Sequence, residues 1–250
     1  MFMNSIVGLI PARSGSKRIE NKNILPVRGH PLLAYAISAA LESKIFDKVV
    51  VSTDSEEFAR VAVHYGAEVP FLRPEKFAQD TSCDIDWVSY TLNELAIRGN
   101  EFEAFSILRP TSPFRNAETI RRAFSLFCSS SQIDSIRAVE VCSQHPGKMW
   151  RVKNDLLVPI LPIQPDGTEW YSSPTQLLPE VWVQNACIEI ARTSCITEHN
   201  SISGNVIGAF KTEFPEGLDL NTELDLARMD AVLNLNSSLL PMITVQPFCF

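Results

Sequence analysis

The segment that follows the first apolar run carries a dense cluster of positive charge. Four cations fall within ten residues of a chain whose formal net charge is −7: Arg13, Lys17, Arg18 and Lys22. The small residues Ser14, Gly15 and Ser16 let the backbone approach an anion closely, while the cations neutralise it. Residues 11–23 therefore predict a loop that binds a triphosphate. The alternative is a solvated basic loop, because charge runs are common on protein surfaces.

This loop lacks the pattern of two common nucleotide-binding motifs. The chain contains no G-x-G-x-x-G sequence, which a dinucleotide-binding fold would use. Gly15 is followed by Ser-Lys-Arg rather than by the Lys-Ser/Thr pair of a Walker loop. A dehydrogenase and a P-loop NTPase are therefore disfavoured.

The surrounding elements predict how the loop is positioned. Residues 5–10 are apolar and end at Pro11, which is typical of a buried strand, and Pro31 opens a stretch with apolar residues at helical spacing. Further strands are expected at 47–53, 67–72, 105–110, 186–191 and 205–210, and further helices at 55–66, 84–98, 117–130 and 222–234. This alternation predicts an α/β fold with a Rossmann-like, mostly parallel sheet and helices on both faces. Ligands of such sheets bind beyond the carboxyl ends of the strands, where residues 11–23 would lie.

Three side chains near the expected helix starts have predicted capping roles. Ser55 and Thr222 are the candidate N-caps of their helices. Asp54 ends the second strand at the ligand edge, and we expect it to cap the next helix rather than orient the phosphate loop.

His30 and His64 have no catalytic partner in the sequence and are expected to be non-catalytic.

The alternation breaks between residues 141 and 183. This stretch concentrates prolines and tryptophans, namely Pro146, Pro159, Pro162, Pro165, Pro174, Pro179, Trp150, Trp170 and Trp182. Prolines restrict such a segment to edge strands, bulges and turns, and tryptophans on it are typical of subunit contacts. We expect an inserted dimerisation arm at 141–183, with a lid folded on its own subunit as the alternative. The α/β domain would then comprise 1–140 and 184–236, followed by a tail at 237–250 without an evident function.

Composition excludes several other classes of protein. The 22 basic and 29 acidic residues argue against a broad nucleic-acid or anionic-membrane surface. Six scattered cysteines form no C-x-x-C pair, which favours free thiols in a reducing compartment. No apolar run approaches the roughly 18 residues that span a bilayer, and the N-terminus lacks a signal-peptide pattern. We expect a cytoplasmic protein with no nucleic-acid or membrane partner.

The loop sequence PARSGSKRIENKN resembles the signature loop of the acylneuraminate (CMP-sialic acid) cytidylyltransferase family. The resemblance continues in order through VVVSTDSEE, LRPEKFAQDTS, LRPTSPFR, QHPGK and GLDLNTELDLA, to about residue 233. It implies a Rossmann-like domain, a dimerisation insertion, and transfer of CMP from CTP to a nonulosonic acid with Mg²⁺ and release of pyrophosphate.

The resemblance also implies which residues bind the nucleotide. Arg13 and Lys22 match positions that bind the phosphates, and Asn23 matches one beside the ribose. Arg73 matches a position of the family that reads cytosine. A guanidinium can donate hydrogen bonds to the acceptor edge of that base. The alternative role of Arg73 is a surface ion pair. Asp84 falls where the family can use Ser, which leaves a ribose contact there open. The other expected nucleotide contacts are Ser14, Gly15, Ser16, Lys17, Asp80 and Ser82.

Residues on the expected acceptor side depart from the family pattern. Arg109 stands where related chains often have Gln, and it either pairs with the substrate carboxylate or forms a structural salt bridge. Thr111 and Ser112 follow in the same motif and are expected to contact the substrate. Lys148 matches an arm position that reaches toward the acceptor, and Asn185 lies where relatives often read R-P-N-G.

Three further substitutions bear on the identity of the acceptor. Val183 and Ala186 replace the Arg and Gly of that R-P-N-G segment, and Thr175 stands where many relatives carry Arg. Because the departures concentrate on the acceptor side, we expect a sugar acid other than ordinary N-acetylneuraminate.

The resemblance implies a metal site at Asp219 and Asn221. Family members hold Mg²⁺ with an Asp-x-Asp pair, whose oxygens at positions i and i+2 point to one face of an extended segment. Asn221 either coordinates through its uncharged carbonyl oxygen or acts as a helix N-cap. Asp219 is the expected main carboxylate and, with Arg13 and Lys22, completes the predicted catalytic set.

The implied reaction is in-line attack of the anomeric hydroxyl of the sugar acid on the α-phosphate of CTP, carried out by a homodimer. Two alternatives stay open. A KDO-type cytidylyltransferase would differ in its acceptor, and a catalytically inactive nucleotide-sugar-binding protein would account for Asn221 and Thr175.

Overall fold

A computed structural model describes residues 5–161 and 167–249. Pro162 and Pro165 of the expected arm lie outside these ranges. The described residues up to Ala138 and from Asn185 onward form one compact unit, and Val139–Gln184 form the other. In the part of the chain that the structure describes, none of the helices has the length and apolar character needed to cross a bilayer.

A six-stranded sheet lies at the centre of the first unit. The strands in chain order are β1 (Ile6–Pro11), β2 (Pro26–Val27), β3 (His30–Pro31), β4 (Lys48–Ser52), β5 (Ala104–Ile107), β6 (Ser135–Val141), β7 (Trp150–Lys153), β8 (Leu156–Pro159), β9 (Trp182–Arg192) and β10 (Ile207–Lys211). The sheet order is β10-β6-β9-β5-β1-β4, with β1 parallel to β4 and β5, and β9 antiparallel to β5. The predicted mostly parallel α/β fold is confirmed.

Helices cover both faces of this sheet. They are α1 (Leu32–Ser43), α2 (Glu56–His64), α3 (Asp84–Ile97), α4 (Ala117–Cys128), α5 (Ser194–His199) and α6 (Glu223–Leu235). Successive side chains of a strand point to opposite faces, so Ile6 and Ile10 of β1 pack with α1, α2 and α4, while Val7 and Leu9 pack with α3 and α5. The expected N-caps Ser55 and Thr222 accept bonds from the backbone N–H groups of Phe58 and Asp225.

The structure differs from the sequence prediction in two places. Residues 67–72 form no strand; a single parallel bridge joins Glu68 to Val50, and Pro70 cannot extend the ladder because it has no N–H. A short β2–β3 hairpin, which the sequence pattern did not predict, follows the basic loop, and β2 pairs antiparallel with β3.

A third apolar cluster joins the β2–β3 hairpin to the segment that carries the expected metal residues. Val27 of the hairpin, Leu32 and Tyr35 of α1, and Met229 of α6 pack in it. Leu220, which lies between Asp219 and Asn221, is fully buried in the same cluster. The hairpin that follows the basic loop and the segment with the expected metal residues therefore pack in one apolar cluster.

The second unit contains the β7–β8 hairpin and several short turns. Trp150 packs against Tyr171, with 4.4 Å between ring centroids. Lys148 donates hydrogen bonds to the backbone carbonyls of Tyr171 (3.2 Å) and Ser173 (2.8 Å). In this unit Lys148 therefore ties two turns together.

Candidate active site

A pocket of about 550 Å³ lies where β1 and β5 end, because its wall includes Pro11 at the end of β1 and Arg109 to Thr111 after β5. The expected site residues on its wall are Arg13, Ser16, Lys17, Lys22, Asn23, Arg73, Asp80, Ser82, Arg109, Thr111 and Asn221. Arg18, Ile19, Phe77, Gln79, Asp84, Trp87 and Pro110 complete it. The structure thus gathers residues from distant parts of the chain beyond the carboxyl ends of parallel strands.

Asp80 pairs with two cations of the basic loop. Arg13 donates to Asp80 Oδ1 at 2.6 Å, and Lys17 forms an ion pair with Oδ2. The hydrogen bonds from Lys17 and Arg13 lower the pKa of Asp80. The carboxylate therefore gathers these cations at the pocket wall.

Asp54 holds the first turn of the basic loop. Its carboxylate accepts bonds from the backbone N–H of Ser14 at 2.7 Å and from the Ser14 hydroxyl at 2.6 Å. The expectation that Asp54 caps α2 is wrong, because Ser55 provides that cap. Gly15 follows with φ +69°, a left-handed conformation that glycine adopts readily, and neither Ser14 nor Gly15 lines the pocket.

Lys22 and Asn23 join the far end of the loop to its surroundings. Lys22 Nζ donates to the carbonyl of Leu220 at 2.8 Å and approaches Asn221 Oδ1 at 3.4 Å. Burial lowers the pKa of Lys22, although the charge of Asp219 opposes this shift. Asn23 is buried and donates to the carbonyl of Arg13 at 3.0 Å.

Arg73 forms a rigid, buried part of the pocket wall. Its Nε donates to the Ser52 hydroxyl at 3.0 Å and its Nη2 to the Ser52 carbonyl at 2.6 Å. The guanidinium carbon lies 4.8 Å from the centroid of the Trp87 ring, within cation–π range. Burial lowers the pKa of Arg73 to about 10, which leaves the group charged at neutral pH. Its Nη1 has no hydrogen-bond partner among the residues that the structure describes.

Arg109 lies between two carboxylates. Its Nη2 donates to Asp84 Oδ2 at 2.6 Å and to Glu189 Oε1 at 2.8 Å. Burial alone would lower the pKa of Arg109, but the bonds with Asp84 and Glu189 raise it. Glu189 also pairs with Arg137, and Asp84 accepts a bond from Trp87 Nε1 at 2.9 Å. The structure therefore shows Arg109 in a salt-bridge network.

Besides Ser14 and Gly15, four expected site residues lie away from the pocket wall or outside the first unit. Ser112 is buried, and its hydroxyl has no partner in the described ranges. Asn185 donates to Thr212 Oγ1 at 2.9 Å and accepts from the backbone N–H of Cys187. Asp219 does not line the pocket, and Lys148 belongs to the second unit. Sequence reasoning missed Phe77, Gln79 and Trp87, whose apolar or amide side chains carry no motif of their own.

Asn221 lines the pocket, and its side chain is bonded to Asp219, which lies behind the wall. One amide hydrogen of Asn221 bonds to Asp219 Oδ2, and Asp219 Oδ1 is buried without a partner among the described residues. Asn221 is not the N-cap of α6, because Thr222 has that role. In the described parts of the chain, no group of three or more His, Cys, Asp or Glu side chains is placed to hold a metal ion. An ion here would take its remaining ligands from a bound substrate or water.

Comparisons with known proteins point to one group of enzymes. A family model described as "Cytidylyltransferase" matches residues 7–146. The CMP-N,N'-diacetyllegionaminic acid synthase of Legionella pneumophila is 35% identical over 238 residues, which cover 94% of this chain and 99% of that protein. The N-acylneuraminate cytidylyltransferase of Escherichia coli is 39% identical over 150 residues, which cover 60% of this chain and 34% of that protein. The chain thus spans about a third of one relative and nearly all of the other.

Solved structures show the same fold at low identity. A CMP:2-keto-3-deoxy-manno-octonic acid synthetase complexed with CTP matches with a TM-score of 0.68 and 14% identity, over 93% of this chain and 99% of that chain. The 4-diphosphocytidyl-2C-methyl-D-erythritol synthase of Anaerococcus prevotii matches with a TM-score of 0.60 and 10% identity, over 92% of this chain and 98% of that chain.

Proposed function

Because the chain belongs to the cytidylyltransferase family, we propose that it transfers CMP from CTP to a nonulosonic, sialic-type sugar acid and releases pyrophosphate. It is therefore a nucleotidyltransferase. The observation that carries the proposal is a single pocket whose wall combines the cations of residues 13–22 with the Arg73–Trp87 pair. That combination suits a triphosphate joined to an aromatic base.

Arg73 would read the base of the nucleotide. Ser52 holds two of its three nitrogens, so the guanidinium has a fixed orientation and leaves Nη1 to donate to a ligand. Cytosine presents acceptors at O2 and N3, which a donor of this kind can bond. A fixed donor rejects a base that offers a donor at the same place, because the polar groups would then remain unpaired.

The basic loop would neutralise the triphosphate. Arg13 and Lys17 are gathered by Asp80, and Lys22 is held by the Leu220 carbonyl. Charge-assisted bonds from such groups to phosphate oxygens stabilise the charge that develops on departing pyrophosphate. Positioning and charge neutralisation are the main contributions of a protein to phosphoryl-group transfer.

Mg²⁺ is the metal that these residues fit. Its preferred ligands are oxygen atoms, and Asp219 brings a carboxylate with one buried, unpartnered oxygen. We propose that Asp219 holds the ion and that Asn221, bonded to Asp219, either orients this carboxylate or adds its own carbonyl oxygen. When bound, the metal would neutralise phosphate oxygens and orient the triphosphate.

The acceptor would be a sialic-type acid other than N-acetylneuraminate. Support comes from the substitutions at Thr175, Val183 and Ala186 and from two relatives named CMP-N,N'-diacetyllegionaminic acid synthase, each of which matches 94% of this chain. Thr111 lines the pocket beside Arg109 and would contact the acceptor. Lys148 and Asn185 are further proposed contacts, although each side chain already bonds within its own unit.

The second unit would form the interface of a homodimer. Trp150, Val152, Leu157 and Pro159 lie on one face of the β7–β8 hairpin, because Trp150 pairs with Pro159 and Val152 with Leu157. Val152 is 72% exposed and Leu157 60% exposed. An apolar face of this kind suits a second copy of the chain. The six free cysteines support the proposal that the enzyme works in the reducing cytoplasm.

Pyrophosphate release is the direct test of the proposed reaction. The intact chain would be given each of four nucleoside triphosphates with Mg²⁺ and a panel of N-acetylneuraminic, legionaminic, pseudaminic and KDO acids. We expect release with CTP only and preference for one nonulosonic acid over N-acetylneuraminate. Arg13→Ala should abolish turnover, and Asp219→Ala should also abolish Mn²⁺ binding measured in the presence of CTP.

Each other result has a definite meaning. Preference for N-acetylneuraminate would overturn the acceptor proposal, and release with KDO alone would identify a KDO-type enzyme. CTP binding without release on any acid would favour a nucleotide-sugar-binding protein. Equal release with all four triphosphates would overturn the role of Arg73.

A further inference from the structure

The C-terminal strap, which we define as residues 237–249, lies against the side of the first unit that carries α1 and α2. Three polar contacts fasten it: Ser38 Oγ donates to the Met242 carbonyl at 2.7 Å, His64 Nε2 lies 2.8 Å from the Gln246 carbonyl, and Phe248 N–H donates to the Tyr65 hydroxyl at 3.1 Å. A carbonyl oxygen only accepts, so His64 must donate to Gln246.

The Tyr65 hydroxyl connects the strap to the β2–β3 hairpin. It accepts from Phe248, so its own proton is available to His30 Nδ1, which lies 3.1 Å away. His30 is the first residue of β3, and this hairpin directly follows the turn that contains Lys22 and Asn23. A chain of hydrogen bonds thus runs from the strap through Tyr65 to the hairpin that directly follows the phosphate loop.

Apolar packing joins the same parts of the molecule. Leu239, Leu240 and Ile243 of the strap pack on the cluster that contains Val27 of the hairpin and Leu220. Leu220 supplies the carbonyl that Lys22 bonds, and it lies between the proposed metal residues. The strap therefore packs against the apolar cluster that holds both the hairpin and the segment around Leu220.

Part of the strap is exposed. Met242 is 74% exposed, and a groove of about 360 Å³ remains between Met242–Val245 and the side chains of α1. Because the strap lies on the surface and forms no part of the sheet, loss of one of its contacts should loosen the segment without unfolding the sheet.

We propose that the C-terminal strap positions the phosphate loop, with the Tyr65 hydroxyl as its fastening point. Tyr65 is a positioning residue. It is buried, with 4% of its surface exposed, it does not line the candidate active-site pocket, and it acts through His30 and the hairpin. The inference rests on the proposed function for its effect on CTP, but the coupling between strap and hairpin does not depend on that function.

The test uses Tyr65→Phe in the full chain, which removes only the hydroxyl. Tyr90→Phe is the matched control, because Tyr90 lies on α3 at the other face of the sheet. We expect faster hydrogen–deuterium exchange in residues 241–249 and also in 22–32 for Tyr65→Phe alone. CTP binding should weaken about two- to tenfold, the range expected for one lost hydrogen bond, with kcat at saturating CTP unchanged.

Ser38→Ala is a second variant that keeps the test decisive if Tyr65→Phe folds poorly, and it should act in the same direction. Faster exchange confined to 241–249, with 22–32 and CTP affinity unchanged, would overturn the inference. If the wild-type chain binds no CTP, the proposed function fails, while coupled exchange of the two segments would still support the strap.

Discussion

Arg109 illustrates how a residue's partners decide its role. An arginine beside a predicted acceptor site suits a substrate carboxylate, but Asp84 and Glu189 already accept from this guanidinium. The Glu189 side chain is only 7% exposed, so its charge needs a partner inside the protein. The structure therefore favours the structural salt bridge.

Arg109→Gln tests that role. It would leave two partly buried carboxylates without this partner, and we expect the free energy of unfolding to fall by about 3 kcal/mol, with the acceptor KM changed less than about twofold. Arg121→Gln is the control: it breaks an exposed pair with Glu118 and should cost about 0.5 kcal/mol or less. Denaturant unfolding and initial rates measure both. A large rise in acceptor KM at unchanged stability would instead make Arg109 a substrate-binding residue.

Arg115 is a residue whose environment the sequence did not reveal. It is fully buried, its Nη1 donates to the Cys187 carbonyl at 2.6 Å, and it also bonds the Arg109 carbonyl at 3.2 Å. Burial lowers the pKa of Arg115 to about 10. Its bonds hold the segment that contains Thr111 and Ser112 against β9.

At the scale of elements, the β2–β3 hairpin and the C-terminal strap share a titratable contact. His30 must be neutral to accept from the Tyr65 hydroxyl, and burial, followed by the nearby His64, lowers the pKa of His30 from its ordinary value of 6.5. Tyr35 also faces the His30 ring, and Arg28 lies on the same hairpin. Because the pKa of His30 is lowered, His30 binds a proton less readily when the strap is attached than when the strap is released.

The pH dependence of the strap follows from this shift. Above about pH 6.5 the contribution of His30 is fully present, and it is lost as the pH falls through the lowered pKa, because the released state binds the proton more readily. We expect exchange of residues 241–249, corrected for intrinsic rates, to accelerate on acidification below that pH. His30→Gln, which cannot titrate, should show no such step. A step that persists in His30→Gln would contradict the role of His30.

At the scale of the whole molecule, the β7–β8 hairpin of the second unit carries exposed apolar side chains. Val152 and Leu157 face each other across the two strands on its apolar face. Large exposed apolar side chains clustered on a hairpin mark an interaction surface.

The double variant Val152→Glu/Leu157→Glu tests whether that partner is a second copy. Sedimentation velocity at micromolar concentration should show a dimer for the wild type and a monomer for the variant, because two charges on each copy would be desolvated. Ile97→Glu, at a 70% exposed site on α3, should leave the dimer intact. A monomeric wild type, or a dimeric double variant, would contradict the proposal.

The sequence alone determined the features that depend on near neighbours in the chain. Periodicity predicted the sheet and its helices, Ser55 and Thr222 were recognisable as caps, and the ordered motifs indicated the family, which the comparisons confirmed. The basic loop was visible because its four cations lie within ten residues of sequence.

Only the tertiary structure decided which groups those residues meet. Asp54 bonds a residue 40 positions away, Arg109 one 80 positions away, and Lys22 one 198 positions away. The strap reaches Tyr65 across 183 residues. The physical reason is that a hydrogen bond or ion pair depends on distance and direction in space, which chain folding sets and which local sequence patterns do not encode.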